Sequence, residues 1–399
     1  MDYQRFDPGN CGFPRPRVPI LPSLSWQSLG REDARPFGLA GSGAQVRHFT
    51  RGRYALTEAY RQAGVGEQGA LLAPAYHCRT MLDPAIRLGA EVALYALKPD
   101  LSPDLMSLKT SLAACRHPVK ALLVAHYFGF AQALEPLVGF CSAHNITLIE
   151  DCSHALLSKT KSGTMGETGR FAVASPYKFF PAEDGGLLWA NGGQPLAQDP
   201  TCAPTLMQEL KGMLHSAQHA RAHSQVPDVA LIDIEIKTIT DKLSLTGRDE
   251  QEQSAGPSPN YRPSEESMKS LAWSRWIMRH TNVQSLIRRR RRNYQQWATV
   301  VAKLPQCRAL FPQLTADCVP YMFPLQIDHP EVHFFALKQL GVPIWRWDDM
   351  AVSSCPVASS YRLKMIHLPC HQELSEQQMT WLTAAVQKVM LQISPGRPS

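Results

Sequence analysis

Three residues along one stretch of this sequence have types suited to chemistry. Asp151 follows the run Thr147–Glu150, at the exit of what reads as a buried strand, and His154 lies three residues on. Lys178 follows a second short run, Phe171–Ala174, after a turn containing Pro176; Gly185-Gly186 then leads into a further run. A lysine amine condenses with an aldehyde cofactor to an imine. A carboxylate paired with a pyridine nitrogen keeps that nitrogen protonated, which makes the ring an electron sink. Taken singly, each residue has an ordinary explanation. A strand-end aspartate caps helices, and a loop lysine is a solvated charge. The order and spacing of the set carry the case.

The elements that must position these residues alternate. Ala70–Ala73, Val92–Leu97, Lys120–Ala125, Thr147–Glu150, Phe171–Ala174 and Gly186–Trp189 have strand length. Tyr54–Ala63, Thr80–Leu88 and Leu134–His144 read as helices between them. Such alternation predicts an α/β fold with a mainly parallel sheet and helices on both faces. Ligands in these sheets bind at the carboxyl ends of the strands, where Asp151 and Lys178 fall. Residues 1–44 are Pro-rich and predict an extended arm that is loosely ordered or packs on a neighbouring subunit. Residues 45–265 form the large domain, with a polar segment at 192–265 in which Gly247–Glu266 reads as a loop or linker. Residues 266–399 form a smaller α+β domain with a strand at Phe323–Ile327 and a helix at Glu376–Leu391.

Read in order, these segments resemble the DegT/StrS family of pyridoxal-phosphate aminotransferases. The matching stretches are RGRYAL (51–56), APAYHC (73–78), HYFG (126–129), LIEDCSHA (148–155), GTMGETGRF (163–171), SPYKFFPAEDGG (175–186), SPNYRPSEE (258–266) and HLPCHQELS (367–375). The resemblance implies a fold-type-I pyridoxal-phosphate enzyme. Lys178 would be the Schiff-base lysine, Asp151 the partner of the ring nitrogen, and His154 a neighbour of the ring. Gly52 and Arg53 open a helix whose amides would cradle the cofactor phosphate. Arg51 and Arg53 stand where the family has Ser and Thr, and guanidinium groups bind phosphate strongly. Ser175 lies three residues before the lysine, where relatives have their phosphate-binding serine five before. Tyr76, His77 or Cys78 takes the place of the aromatic that stacks on the ring. Asn260 aligns with an asparagine that in relatives reaches the phosphate of the neighbouring subunit.

Two further patterns have readings of their own. His215, His219 and His223 share a helix face, but no carboxylate joins them at ligand spacing, so a polar face is expected rather than a metal site. The run Arg288–Arg292 is expected on a solvated or inter-subunit helix face. A net charge of +7 suits anionic small molecules and is too mild to argue nucleic acid. Ten scattered cysteines without a CxxC pair suit a reducing compartment. No stretch reaches the roughly 18 apolar residues of a membrane span. A soluble cytoplasmic protein is therefore expected.

The reaction that follows is transamination from an amino donor, glutamate by resemblance, to a keto-sugar nucleotide or related carbonyl acceptor, by a homodimer. A lyase or dehydratase is the alternative within the cofactor class. Relatives specialised for dehydration replace the lysine with His, so Lys178 argues for transamination. A non-catalytic protein that kept the fold is the alternative outside it, favoured by the altered phosphate segment.

Overall fold

The computed structural model describes residues 1–6, 11–25, 28–30, 45–160, 163–193, 196, 202–222, 226–243, 258 and 260–393. His223 and most of the 247–266 linker lie outside the described residues.

Strands β1 (Tyr3–Gln4) and β2 (Val46–Phe49) precede helix α1 (Gly52–Ala63). Then β3 (Ala70–Pro74), α2 (Arg79–Arg87), β4 (Val92–Tyr95), α3 (Leu105–Ala114), β5 (Val119–Ala125), α4 (Glu135–His144) and β6 (Thr147–Asp151) alternate. A short hairpin of β7 (Lys159–Thr160) and β8 (Gly163–Thr164) leads to β9 (Phe171–Ala174) and β10 (Gly186–Ala190). The seven-stranded sheet has the order β2-β10-β9-β6-β5-β3-β4. Its β4-β3-β5-β6-β9 portion is parallel, and β10 runs antiparallel to both β9 and β2. Strands β3, β9 and β10 are buried along their whole length, as expected where helices cover both faces of a sheet. That is why they read as unbroken runs rather than alternating ones.

The chain continues through α5 (Leu206–Ala222), α6 (Ile232–Leu243), α7 (Ala272–His280) and α8 (Val283–Val301). It ends in β11 (Cys307–Ala309), β12 (Met322–Ile327), α9 (Pro330–Gln339), β13 (Met350–Ala351), α10 (Pro356–Lys364), β14 (Met365–Pro369) and α11 (Glu376–Gln392). Strands β11, β12 and β14 form an antiparallel sheet, and a Ser375/Gln378 capping box starts α11. A second core gathers Trp297, Phe323, Leu368, Trp381 and Val386. Helix α6 buries Ile232, Ile236 and Ile239 in that second core, so its packing goes with the C-terminal elements rather than with the 45–265 domain assigned by sequence position.

The N-terminal stretch corrects its expectation where it is described. It is bound to its own chain. Strand β1 pairs with β13, Phe6 meets Phe334 and Phe335 edge-on at 6.0 and 5.7 Å, and Arg17 pairs with Glu235 at 2.8 Å. Proline supplies carbonyl acceptors without an amide to satisfy, and the Pro19 carbonyl lies 3.0 Å from His371 Nε2. Among the described residues, no helix is long and apolar enough to cross a membrane.

Candidate active site

Parallel pairing of β6 with β9 sets Asp151 opposite Val173. Asp151 is the last residue of its strand. Its neighbour strand runs on through Ser175 into a single 3₁₀ turn, Pro176–Lys178. Both chemistry-bearing residues are thus delivered to the carboxyl end of one sheet, side by side. Asp151 is 4% exposed, and its Oδ1 accepts the Ser153 amide at 2.8 Å.

Helix α1 brings its N-terminus to the same place. Its first helical bond is Tyr54 N–H to the Arg51 carbonyl, 3.1 Å, so the earlier amides of Gly52 and Arg53 have no partner within the helix. Gly52 lies directly under Ser175, and a Cβ there would run into the Ser175 hydroxyl. Ser175 Oγ and Ser153 Oγ are 3.1 Å apart. Thr50 Oγ1, two residues before Gly52, is buried with no hydrogen-bond partner among the described residues. Hydroxyls around a helix N-terminus make a pocket suited to a phosphate.

The other wall is aromatic and comes mainly from the C-terminal elements. Lys178 Nζ lies 5.3 Å from the centroid of the Tyr321 ring. The His154 ring packs on Tyr321 at 4.3 Å, on Trp347 at 5.4 Å and on Phe128 at 5.6 Å. His367, from β14, meets Phe128 at 4.8 Å, and its Nε2 lies 3.2 Å from the Tyr76 hydroxyl. Burial pushes the His154 imidazole well below its ordinary range, and the charges of Lys178 and His367 push the same way. Burial, and then Lys178, lowers His367 to about 3. Both rings are therefore neutral near pH 7, beside a lysine.

Gly52, Tyr76, Asp151, His154, Ser175 and Lys178 come together here. Cys78 stands at the N-cap of α2, half-buried, with Sγ 3.1 Å from Thr80 Oγ1. Arg53 is half-buried on the first turn of α1. Asn260 is exposed, on a segment laid across α1 by Tyr261–Thr57 and Arg262–Tyr54 hydrogen bonds of 2.8 and 3.3 Å. Within a single chain it is not brought to Lys178.

Several expectations change. His77 is not a stacking ring: Nδ1 faces the Pro74 and Ala75 carbonyls, and Nε2 accepts the Ala351 amide at 3.2 Å. Arg51 turns away from the α1 N-terminus, donates to the Glu183 carbonyl at 2.9 Å and stacks over Tyr177. A carboxylate does join the histidine face of α5, since Glu183 Oε1 lies 2.6 Å from His215 Nδ1. The arginine run is a solvated face only in part, at the exposed Arg288 and Arg292. Arg290 is fully buried, and Arg291 donates to the carbonyls of Thr315, Ala316 and Cys318.

Sequence reasoning missed Ser153, Thr50, Tyr321, Trp347 and His367. Ser153 sits inside LIEDCSHA and was legible as a hydroxyl beside Asp151. The last three reach the site from 140 or more residues away in sequence; His367 opens the stretch HLPCHQELS, but no local pattern marks Tyr321 or Trp347. His126, Glu150 and Cys152 also cluster. There the Gln132 amide donates to His126 Nδ1 at 3.0 Å, His126 Nε2 meets Glu150 at 2.9 Å, and Glu150 also accepts the Thr168 amide. That group is a satisfied structural network.

The parallel sheet with α1 and a lysine turn at its carboxyl end has the fold-type-I α/β architecture. Solved structures share it. A Helicobacter pylori aminotransferase involved in the biosynthesis of pseudoaminic acid, PseC, superposes with a TM-score of 0.60 at 14% identity, covering 88% of this chain and 87% of that one.

 A putatively named sugar aminotransferase of Streptococcus pneumoniae, Spr1654 in its PLP-form, gives a TM-score of 0.60 at 16% identity over 87% of each chain. More particularly, residues 45–207 match the model of the DegT/DnrJ/EryC1/StrS aminotransferase family. Among curated proteins, a Geobacillus stearothermophilus pleiotropic regulatory protein is 25% identical over 155 residues, 38% of this chain and 39% of the relative. A Campylobacter jejuni UDP-4-amino-4,6-dideoxy-N-acetyl-beta-L-altrosamine transaminase is 28% identical over 139 residues, 34% of this chain and 37% of the relative. The match thus spans less than two fifths of the length of these relatives.

Proposed function

We propose that this chain is a pyridoxal-phosphate-dependent aminotransferase that moves an amino group from a donor, glutamate by expectation, to a keto-sugar nucleotide or related carbonyl compound. The observation that carries the reading is the delivery of Asp151 and Lys178 by adjacent parallel strands beside the α1 N-terminus. The residues fit the cofactor. The side-chain-free Gly52, which lets the Ser175 hydroxyl approach the α1 N-terminus, the Ser175 and Ser153 hydroxyls and the unpartnered Thr50 Oγ1 suit a phosphate. Pyridoxal phosphate, when bound, supplies an aldehyde for the amine and a ring that takes up electron density from the substrate carbon.

The chain's own groups do the rest. Asp151 holds the proton on the ring nitrogen, and Lys178 Nζ takes and returns the proton at the substrate carbon as general base and acid. The wall of Tyr321, His154 and Trp347 excludes water from that proton. Residues 45–265 hold the cofactor, and residues 266–399 close over it. The name of the Campylobacter relative, a UDP-4-amino-4,6-dideoxy-N-acetyl-beta-L-altrosamine transaminase, supports the substrate class. A net charge of +7 suits a diphosphate-bearing ligand. The working form is a cytoplasmic homodimer with sites at the subunit boundary. The exposed Asn260 beside α1 supports the boundary, and ten cysteines outside any disulfide support the compartment.

Borohydride reduction with pyridoxal phosphate, followed by peptide mapping, tests the assignment. The label is expected on Lys178; a label on another lysine, or none, overturns it. A donor half-reaction with glutamate, followed by keto acids, free keto sugars and nucleotide-linked keto sugars, then tests the acceptor. Turnover with simple keto acids alone would leave the aminotransferase reading and remove the sugar one.

A further inference from the structure

Arg290 is a charged side chain that the proposed reaction leaves unused, and it has no exposure to solvent. It lies on α8, on the face shared with the buried Leu286, Asn293, Tyr294 and Trp297. Its fork is filled by oxygens from three loops. Nη2 donates to the carbonyls of Lys178 at 2.8 Å and Phe179 at 3.2 Å. Nη1 donates to the carbonyls of Pro320 and Tyr321, both at 3.1 Å. Nε donates to Gln372 Oε1 at 2.8 Å, and Gln372 Nε2 in turn donates to the Phe179 carbonyl at 2.9 Å. The guanidinium also lies 4.7 Å from the Phe179 ring centroid.

All five donors of the group are therefore committed, and every acceptor named is an uncharged oxygen. Desolvation lowers the guanidinium to about 10, so the group remains charged near pH 7. Burying a cation among neutral dipoles is costly, yet removing it alone would leave five buried oxygens without this donor. Only a rigid planar fork can join carbonyl pairs on two separate loops; a lysine has three donors on a flexible stem.

We infer that Arg290 is a positioning residue for the proposed reaction: it locks the Lys178 turn and the Tyr321 loop into one frame, and so fixes Lys178 Nζ against the Tyr321–His154 wall. The inference rests on the cofactor reading above. The two loops come from opposite halves of the chain, and the 5.3 Å between Lys178 Nζ and the Tyr321 ring depends on their register. A displacement of that register moves the amine relative to the proton it must reach, and an ångström of such misplacement costs about a hundredfold in rate.

Arg290→Lys, Arg290→Met and the milder Gln372→Met test it. The wild type is first labelled on Lys178 by borohydride. No label there overturns the cofactor reading itself, and is seen before any variant is made. With a labelled wild type, Arg290→Met is expected to lose some thermal stability, while kcat per folded molecule falls about tenfold to a hundredfold. The donor KM should change less than about threefold, and the pH midpoint of the cofactor's visible absorption band should shift. Arg290→Lys should not restore either readout. If both Arg290 variants fail to fold, Gln372→Met decides, with the same signs at smaller size. Variants that keep the wild-type band midpoint and kcat per folded molecule, losing only stability, overturn the positioning role and leave the cofactor reading intact.

Discussion

A carboxylate at a strand end can steady a protonated ring nitrogen only if its geometry is fixed before the ring arrives. In this site the Ser153 amide does the fixing, through Asp151 Oδ1. Asp151→Asn keeps the shape and an acceptor for that amide but cannot hold the pyridinium proton as a carboxylate does. The variant is expected to bind pyridoxal phosphate and still be labelled on Lys178, while the donor half-reaction slows by roughly a hundredfold or more. Stopped-flow absorbance with glutamate measures this; a near-normal rate would make Asp151 structural. The same residue shows what sequence can carry. Asp151 and Lys178 were legible because each ends a short run on neighbouring strands, and strand order is itself a local pattern. Tyr321 was not, since its approach to Lys178 depends on how a second core docks; His367 lies in the motif-like stretch 367–375, but its place beside Lys178 depends on the same docking.

At the scale of elements, α1 and α8 make opposite points. The start of α1 was legible to within two residues, because a glycine between polar residues before an apolar helix is a local signal. What the sequence hid was the reason for the glycine: a close approach to Ser175 rather than a left-handed backbone. Gly52→Ala should push the Ser175 hydroxyl away from Ser153 and spoil the phosphate cradle. Affinity for pyridoxal phosphate is expected to fall about tenfold, the value of one or two charge-assisted hydrogen bonds, with affinity for pyridoxal unchanged. Equilibrium titration with both ligands measures the difference, and equal losses for the two would place the damage elsewhere. Helix α8 misled because five consecutive arginines look solvated as a composition. A helix turning 100° per residue still sends one of them inward, and Leu286, Tyr294 and Trp297 already marked that face.

Four histidines are held as neutral rings mainly by burial. His48 and His77 are lowered to about 4 and His367 to about 3, burial being the largest cause in each, and His154 is lowered further by the neighbouring Lys178. They are spread over both halves of the chain: the β2 strand, the β3–α2 turn, the β6 exit and β14. An unfolded chain binds protons on these residues near pH 6.5, whereas the folded chain does not until pH falls to about 4 or below. Between those limits the unfolded state holds more protons, so stability rises with pH. The contribution is complete above about pH 7 and is lost progressively as pH falls toward 4. Each fully buried ring is worth on the order of 2 kcal/mol between pH 7 and pH 5. Urea unfolding at pH 7 and pH 5 should therefore show a clear drop in the midpoint at the lower pH. His77 gives the sharpest check, because its ring is tied to backbone on both nitrogens and lies away from Lys178. His77→Gln should lower stability at pH 7 through the lost hydrogen bonds and packing, yet show a smaller drop from pH 7 to pH 5 than the wild type. An unchanged pH dependence in that variant would mean that the acid sensitivity arises from other groups.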